Sequence, residues 1–527
     1  MHSGVAKETL FLCLLRLLEN LKVGLVREIF ASDISGITTD ARILVMATGG
    51  DFNNPSAVGE SMESGVADAG HGHIEKESPT ARGGSWEIMR LMPSSLWQGN
   101  SVFNSWLVAS AAQIGQVLLT LPYSMSQMGY AYGASALILY GALGAWSVYL
   151  LVWLYLEFKA RTELQGKVRA EGHILQYHEV IGGLIGRWGG KTTYFFVILS
   201  LAIASVIQLI ASSSDLYYAN SNLNKREWQY IVGAVAFLAV FVPDYAHFRS
   251  GVAIGILTTT ITSLYMFIAA LSVGQVAGIR HTGGVSDKVE FLTGATNILF
   301  AFGGHGITIE ILESMKRPSR FKFVYLAVCF YTLCITLPST VAVYWAYGDI
   351  LLKRSNAFSV LPPSRWRTVA ILSMVVHQAM GFVVFTHPVF LVCEKAVGVH
   401  TKSILRRVLV RLPIVAIMWF LALAVPFFGP INSVMGALLV TSSVYIIPLA
   451  AFIITYSTKS ARQNSAVQLP LFLPSWSFVF FVNAIIILWI VIVGIGLGGW
   501  ASITNFVRQI NTFGFFDECF QCPSKSK

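Results

Sequence analysis

Long apolar stretches separated by short polar connections dominate the chain after residue 100. About 20 helical residues span the hydrocarbon layer of a membrane, and only helices or closed barrels satisfy their backbone there. Barrel strands alternate apolar and polar positions, whereas these stretches do not. The pattern therefore predicts an all-α polytopic membrane protein with about 11 transmembrane helices. Segments 1 to 11 cover roughly residues 104–128, 130–158, 192–218, 229–246, 250–278, 291–314, 323–348, 367–393, 408–428, 431–456 and 476–498.

The remaining residues divide into two tails and one long internal loop. Residues 1–100 are polar and rich in glycine, serine and acidic residues, which predicts a disordered N-terminal tail ahead of a transmembrane domain over 101–500. Residues 501–527 form a C-terminal tail. The loop from Lys159 to Lys191 has apolar residues at near-helical spacing, which predicts a helix lying on the membrane surface.

Composition agrees with a membrane protein and bears on its orientation. Hydrophobic residues make up 54% of the 527 residues and charged residues only 12%, about half the usual charged fraction of a soluble domain. The net charge of +10 comes from basic residues in short loops between the apolar segments, so it bears on how the chain is oriented in the membrane. It therefore predicts lipid rather than nucleic acid as a partner. Basic residues are more numerous in the loops after even-numbered segments, which predicts a cytoplasmic N-terminus and an extracellular C-terminus.

The chain lacks the local signatures of an enzyme. It contains no Walker A loop, no nucleophile elbow and no HExxH motif, and the Cys519–Cys522 pair has no further zinc ligands close to it in sequence. We therefore expect no catalytic activity, no metal and no cofactor. Without an ATPase module, transport must be secondary, and without a potassium-filter signature a channel is the weaker alternative.

Segments 1 and 6 each carry helix-breaking residues within the membrane. Pro122 in segment 1 predicts a helix break near residues 118–120, and Gly303, Gly304 and Gly306 weaken segment 6 at a matching depth. Segments 1 and 6 are equivalent positions in a five-plus-five inverted repeat, with segment 11 outside it. Kinks are the ordinary role of such residues, but paired interruptions in the two halves indicate a transport site, where half-helix N-termini point amides at an anionic group.

Segment 6 also holds two ionisable side chains next to its glycines. His305 follows Gly304, and histidine changes charge near neutral pH, as a proton-coupled carrier requires. Glu310 lies five residues further on, about 140° around a continuous helix, so a pairing with His305 needs local unwinding. The sequence leaves two roles open for Glu310, one in a proton relay and one in a structural ion pair.

Several uncharged polar residues lie inside the apolar segments. Gln113 and Gln116 precede the predicted break in segment 1, Gln208 lies in segment 3 and Thr386 lies in segment 8. Hydrogen bonding between helices is the alternative role for each of them. Tyr123, next to Pro122, is the aromatic residue that we expect closest to the substrate.

Separated strings in the same order make the chain resemble one group of plant transporters. They include QVLLTLPYS (116–124), SVIQLIA (205–211), TGATNIL, FGGH ending at His305, AVYWAYGD, FFGPINS and GGWASITNFVRQ. Over roughly residues 95–523 the chain resembles the auxin influx carriers, the AUX/LAX group of the amino acid/auxin permease family. Ala112 stands where that group usually has asparagine.

The resemblance implies a LeuT-like fold and a plasma-membrane symporter that imports indole-3-acetic acid, or a related aryl acetic acid, with the proton as coupling ion. It also implies a part in polar auxin transport and auxin signalling. The group binds auxin between broken helices 1 and 6 and helices 3 and 8. The site residues expected here are Gln113, Gln116, Tyr123, Gln208, Gly303, Gly304, His305 and Thr386.

Two alternatives remain open from the sequence. A neutral amino acid permease would need a partner for the substrate ammonium, such as a carboxylate or helix C-terminal carbonyls at the break. A transporter-like auxin receptor would signal through the long N-terminal tail and bind its ligand without net uptake.

Overall fold

A computed structural model describes residues 101–166, 175–242, 249–283, 287–400, 402–470 and 472–522. All regular secondary structure in these ranges is helical, so the prediction of an all-α polytopic membrane protein is confirmed. The predicted disordered tail over residues 1–100 lies outside the described residues.

The helices follow the predicted segments in order. The α-helices are α1 Val102–Gln113, α2 Val117–Met128, α3 Tyr130–Leu164, α4 Tyr177–Ile185, α5 Arg187–Ala219, α6 Lys225–Ala236, α7 Arg249–Val273, α8 Lys288–Phe300, α9 Thr308–Ser314, α10 Phe321–Tyr347, α11 Arg365–Val397, α12 Ile404–Ala424, α13 Pro430–Met435, α14 Ile447–Thr455, α15 Lys459–Gln463, α16 Trp476–Trp489 and α17 Gly499–Phe513. In segment 10 a π-helix at Gly436–Ile446 connects α13 to α14, and in segment 11 a π-helix at Ile490–Gly498 connects α16 to α17.

Most of these segments are long enough to cross a membrane. Within the described ranges, nine helical spans meet the length and hydropathy of a crossing, and the bent pair α1–α2 makes a tenth. Segment 4 is shorter, because α6 has 12 residues and continues as a 3₁₀ turn over Phe237–Phe241. Together these elements account for the eleven predicted segments.

Segment 1 is broken, but not where the sequence predicted. α1 ends at Gln113 and α2 begins at Val117, and the two are bent by 53°. Pro122 lies inside α2, so the prediction of a break at Pro122 is wrong. A proline removes only the one hydrogen bond to the carbonyl four residues earlier, and neighbouring helices compensate for this loss inside a bundle. The chain instead turns through Gly115, a residue with low helix propensity.

Segment 6 is interrupted at its glycines. α8 ends at Phe300, a 3₁₀ turn covers Gly304–Ile307, and α9 begins at Thr308. The first and sixth segments thus each combine an interruption with a short second half-helix. This arrangement brings the ends of four half-helices together inside the bundle.

Hydrogen bonds between loops divide the loops that connect the segments into two sets. The C-terminal tail touches the loops after segments 3, 7 and 9: Arg226 N donates to Glu518 O, Ser355 N to Gln521 Oε1, and Phe516 N to Ala424 O. A different set joins even-numbered loops, as Ala466 N donates to a carboxylate oxygen of Glu157 at the end of segment 2. Each loop set therefore belongs to one side of the bundle.

A helix is present in the loop where the sequence predicted one, as α4. It starts with a capping box formed by Gln176 and Glu179, and the Tyr177 hydroxyl donates to Ser443 O at 3.1 Å. Glu179 also pairs with Lys395 at 3.7 Å, so α4 is attached to segments 8 and 10. The part of its loop over residues 167–174 lies outside the described ranges.

The C-terminal part of the chain is more ordered than a simple tail. The helix of segment 11 continues to Phe513, past its predicted end at residue 498. Cys519 and Cys522 then form a disulfide bond. Phe520 packs against Phe427 and Phe513, with ring centroids 5.2 and 5.0 Å apart.

Candidate functional site

A cavity lies between the two helix interruptions. The space between its walls, counted together with the solvent at its open side, is about 540 Å³. Segments 1, 3, 6, 8 and 10 contribute to its wall. The lining residues are Ala112, Gln113, Gly115, Gln116, Val117, Val197, Ser200, Leu201, Ala204, Phe300, Gly303, Gly304, Gly306, Phe385, Met435 and Ser443.

Gln113 ties the two interrupted segments together. It is the last residue of α1, and its Nε2 donates to the Ala301 carbonyl, just after α8, at 2.7 Å. Its Oε1 accepts a hydrogen bond from the Tyr325 hydroxyl at 2.9 Å. A carbonyl at the end of α8 has no partner within its own helix, and the amide supplies one. Gln113 therefore fixes the geometry of the cavity wall as well as lining it.

Gln116 and Gln208 connect the break in segment 1 to segment 3. The Gln208 Nε2 donates to the Gln116 Oε1 at 2.6 Å, and both side chains are buried. Small residues make room for this pair: a Cβ at Gly381 would lie 3.0 Å from the Gln208 Nε2, and one at Gly115 would lie 3.5 Å from it. The amide of Gln208 thus reaches the break, although Gln116 rather than Gln208 lines the cavity.

Gly304 allows segment 6 to approach segment 1 closely, and Gly303 allows it to approach segment 10. A Cβ at Gly304 would lie 2.5 Å from the Gln113 Oε1, and one at Gly303 would lie 3.2 Å from Val440 Cγ2. Any larger residue at Gly304 would displace the Gln113 amide. The glycines are therefore needed for packing at the site in addition to interrupting the helix.

His305 is fully buried behind the cavity wall. Its Nε2 lies 3.2 Å from the Gly144 carbonyl, and its Nδ1 lies 3.5 Å from the Tyr325 hydroxyl. Because Tyr325 donates to Gln113, a hydrogen-bonded path leads from His305 to the cavity. Glu310 makes no ion pair or hydrogen bond with His305 in the described part of the chain, and its Oε2 is buried without a hydrogen-bond partner.

Four of the eight expected binding residues do not line the cavity: Gln208 and His305, described above, and also Thr386 and Tyr123. The Thr386 hydroxyl donates to Phe382 O at 2.6 Å and to the Ser205 hydroxyl at 2.9 Å, so it joins segments 8 and 3. Its neighbour Phe385 faces the cavity instead, because adjacent helical residues point about 100° apart. Tyr123 lies further along α2, with its ring next to Gly429. The prediction that these four side chains line the site does not fit this geometry.

Several residues in or next to the cavity wall were not predicted from the sequence. Tyr325 in segment 7 has a buried hydroxyl that bridges Gln113 and His305, and Phe300 and Phe385 supply aromatic walls. A buried tyrosine needs a partner for its hydroxyl, which was the one available signal for Tyr325. The phenylalanines are indistinguishable from lipid-facing residues in a chain with 34 of them.

The cavity wall combines apolar and uncharged polar groups. Among its lining residues, amide and hydroxyl groups come from Gln113, Gln116, Ser200 and Ser443, and there is no charged side chain. The half-helix α2 begins at this wall, with its positive dipole end next to Gln116. Such a site suits a flat, mostly apolar molecule with one anionic group.

Comparison with known proteins gives a consistent result. A family model described as transmembrane amino acid transporter protein matches residues 98–493. Auxin transporter-like protein 2 of Oryza sativa subsp. japonica is 47% identical over 468 residues, covering 89% of this chain and 96% of that protein. Auxin transporter protein 1 of Arabidopsis thaliana is 48% identical over 428 residues, covering 81% of this chain and 88% of that protein.

Proposed function

The chain belongs to the transmembrane amino acid transporter family, within its auxin transporter group, and we propose that it is a proton-coupled importer of indole-3-acetic acid or a related aryl acetic acid. The relatives named above are auxin transporters, and the similarity covers nearly all of the transmembrane domain.

The uncharged wall of the central cavity is the observation that carries this proposal. Indole acetate has an aromatic ring and a carboxylate, but no ammonium group. Phe300 and Phe385 supply apolar surface for the ring, and the amides of Gln113 and Gln116 lie where α2 begins. A desolvated ammonium group needs an anionic or carbonyl partner. No carboxylate lines this cavity in the part of the chain that the structure describes, and the Ala301 carbonyl at the end of α8 already accepts a hydrogen bond from the Gln113 Nε2.

His305 is the residue that we propose for proton coupling. Hydrogen bonds connect it to the cavity through two side chains, Tyr325 and then Gln113. In the charged imidazole both ring nitrogens carry a hydrogen, so Nδ1 donates to the Tyr325 oxygen while Nε2 donates to the Gly144 carbonyl; loss of the proton from Nδ1 removes the bond to Tyr325 and would change the position of the Gln113 amide. Glu310, in the next half-helix, is a second candidate because its Oε2 is buried without a hydrogen-bond partner.

Uptake of radiolabelled indole-3-acetic acid in cells that express the protein tests the proposal. Uptake should exceed that of empty cells, should rise when the outside medium is acidified, and should collapse when a protonophore removes the gradient. Efflux or no net uptake under an inward proton gradient would contradict it.

Neutral amino acid transport is the second candidate, because the matching family model is described by amino acid transport. Competition separates the two substrates in the same assay. An excess of unlabelled tryptophan should leave uptake of labelled indole-3-acetic acid unchanged if the ammonium group is excluded. Strong inhibition by tryptophan, or uptake of labelled tryptophan itself, would favour the amino acid permease.

We also propose that the protein lies in the plasma membrane with its C-terminus outside the cell. The excess of basic residues in the loops after even-numbered segments supports this orientation. The disulfide bond between Cys519 and Cys522 also supports it, because disulfides persist in oxidising extracellular surroundings and are rare in the cytosol.

A further inference from the structure

A row of buried polar side chains lies on one face of segment 3, where this segment packs against segment 8. Gln208, Ser212 and Asp215 are four and three residues apart, so they lie one above the other on helix α5. Gln208 belongs to the amide pair that reaches the break in segment 1, and Asp215 lies about 10 Å further along the helix. The row therefore leads from the region of the central cavity to a buried carboxylate.

Asp215 is fully buried, and each of its carboxylate oxygens has an amide partner. Asn356 Nδ2, in the loop after segment 7, donates to Oδ1 at 2.6 Å, and Gln378 Nε2, in segment 8, donates to Oδ2 at 2.7 Å. The orientation of Asn356 is fixed, because its own Oδ1 accepts from the Phe358 backbone N–H at 2.9 Å. Neither of these two partners carries a charge. Burying a carboxylate without a bonded cation costs free energy, and binding of a proton relieves that cost.

The hydrogen bonds around Gln378 can be completed in two ways that differ by one proton. The Ser212 hydroxyl lies 2.9 Å from Gln378 Oε1 and 2.8 Å from the Gln208 main-chain oxygen, but it has a single hydrogen to donate. With Asp215 ionised, Gln378 Nε2 donates to the carboxylate and Gln378 Oε1 accepts from Ser212. With Asp215 protonated, the carboxyl O–H donates to Gln378 Oε1 once the amide has turned over. The amide nitrogen then donates to the Ser212 oxygen, and the Ser212 hydrogen goes to the Gln208 main-chain oxygen.

We propose that Asp215 is a proton-binding residue of the transport cycle, and that Asn356 and Gln378 are positioning residues that hold it in both charge states. Gln378 lies one turn before Gly381, against which the Gln208 amide packs. Turning over the Gln378 amide therefore changes the contact between segments 3 and 8 close to the central cavity. The inference rests on the proposed function, because it assumes that a proton is coupled to transport, and it adds a second proton site to the one in segment 6.

A small cavity beside the C-terminal tail lies next to this carboxyl group. Lys225 and Asp517 line the cavity together with Ser214, whose hydroxyl lies 3.4 Å from Asn356 Nδ2. Water on this side of the bundle is the source from which a proton passes to an oxygen of Asp215. In the proposed orientation this side faces the medium outside the cell.

The titratable groups near Asp215 come from several parts of the chain. They are Lys225 at the start of segment 4, Arg354 in the loop after segment 7, Arg367 at the start of segment 8, Asp517 in the tail and Tyr218 in segment 3 itself. Segment 8 presents only the amide of Gln378 here, because the neighbouring His377 contacts Gly255 O in segment 5 at 3.0 Å. The Lys225 ammonium stabilises a carboxylate at Asp215, whereas burial opposes one, and this balance suits a group that gains and loses a proton.

Infrared difference spectroscopy of the full-length protein in lipid nanodiscs tests proton binding directly, because a protonated carboxyl group has a C=O stretching band that a carboxylate lacks. Between about pH 5.5 and about pH 7.5 freely exposed carboxylates stay ionised. In this range Asp215→Asn should remove the band of one carboxyl group. Asp349→Asn is the matched control and should leave the band unchanged, because it makes the same substitution in a carboxylate that Thr282 holds on the same side of the bundle.

The uptake assay shows whether this proton is coupled to transport. The ratio of uptake at about pH 5.5 to uptake at about pH 7.5 should fall about threefold or more in Asp215→Asn, because an amide does not titrate. The ratio should be unchanged in Asp349→Asn. The amide in Asp215→Asn can make the hydrogen bonds of the protonated form, accepting from Asn356 and donating to Gln378, so this variant should fold.

A second variant protects the test from poor folding. Asn356→Asp places another carboxyl group beside Asp215, and two adjacent carboxyl groups resist ionising together, so the infrared band should persist to a pH about one unit higher or more. A band that is equal in the wild type and Asp215→Asn would overturn the proposal. Full acid stimulation of uptake in Asp215→Asn would overturn it as well. If no form of the protein takes up indole-3-acetic acid but the band responds to both substitutions, the proposed function fails and the proton site stands.

Discussion

At the scale of single residues, Gly304 offers the most direct test of the central cavity. A Cβ at this position would lie 2.5 Å from the Gln113 Oε1, so the amide must move. Overpacking of this kind typically costs about 1–3 kcal/mol, which corresponds to about tenfold or more in affinity.

Gly304→Ala should therefore raise the KM for indole-3-acetic acid about tenfold, measured by initial uptake rates at matched surface expression. Gly499→Ala is the control, because a Cβ there meets only a leucine methyl carbon at 3.4 Å. An unchanged KM in Gly304→Ala would show that the Gln113 amide does not hold the substrate.

His305 tests proton coupling at the same scale. His305→Ala removes the ring that contacts Tyr325 and Gly144, so uptake should no longer rise when the medium is acidified. We expect the ratio of uptake at about pH 5.5 to uptake at about pH 7.5 to fall close to one, because no titrating imidazole remains on the path.

Surface biotinylation separates this loss of coupling from poor delivery to the membrane. His281→Ala is the matched control, since that histidine lies in the loop after segment 5 and contacts the backbone carbonyls of Tyr344 and Trp345 in segment 7. Normal acid stimulation in His305→Ala would remove this residue from the coupling mechanism and leave Glu310 as the candidate.

At the scale of single helices, the position of the break in segment 1 leads to a prediction about Pro122. Because the break covers Ile114–Gln116 and Pro122 lies within α2, Pro122→Ala restores one helical hydrogen bond and leaves the cavity intact. Uptake should remain within about twofold of the wild type. A loss as large as that of Gly304→Ala would mean that the proline shapes the site after all.

A buried ion pair joins segments 8 and 9 and can be tested as a stability element. Glu394 accepts hydrogen bonds from Arg411 at 2.5 Å and from Arg407 at 2.9 Å, and both Glu394 and Arg411 have no exposed side-chain surface. Arg411 also donates to the carbonyls of Val240 and Val242, which connects segment 9 to the end of segment 4.

Glu394→Gln removes the negative charge while keeping the shape, so the Arg411 guanidinium loses its buried counter-ion. We expect a loss of about 3 kcal/mol or more in the free energy of unfolding, seen as a lower thermal unfolding midpoint in detergent. Arg508→Gln, at an exposed pair, should change stability by less than about 1 kcal/mol. Equal effects of the two substitutions would contradict the structural role of Glu394.

At the scale of the whole molecule, the C-terminal tail reports the orientation of the bundle. It contacts the loops after segments 3, 7 and 9, so all of these lie on the side of the Cys519–Cys522 disulfide. After mild reduction of intact cells, a membrane-impermeant maleimide should label these cysteines if that side is extracellular.

The double substitution Cys519→Ser and Cys522→Ser is the control and should abolish the labelling. Labelling that requires permeabilised cells would place the C-terminus in the cytoplasm.

The sequence by itself determined the membrane class, the eleven segments and the interruption of segment 6. These properties are local, because about 20 apolar residues are needed to cross the hydrocarbon layer and glycines weaken the helix at their own positions. The strings around Gln116 and His305 also indicated the family before any geometry was available. The resemblance to the auxin influx carriers assigned Gln113, Gln116, Gly303 and Gly304 to the site, and all four line the cavity.

Only the tertiary structure decided which neighbouring residues face the cavity and which groups meet across segments. Phe385 rather than Thr386 lines the site, Tyr325 links His305 to Gln113, and the chain breaks before Pro122. A small cavity beside the C-terminal tail is lined by residues at the ends of segments 3, 4 and 9 and by Asp517 of the tail. These four parts of the molecule are far apart along the chain. Such contacts depend on helix rotation and packing, and no local pattern of residues encodes them.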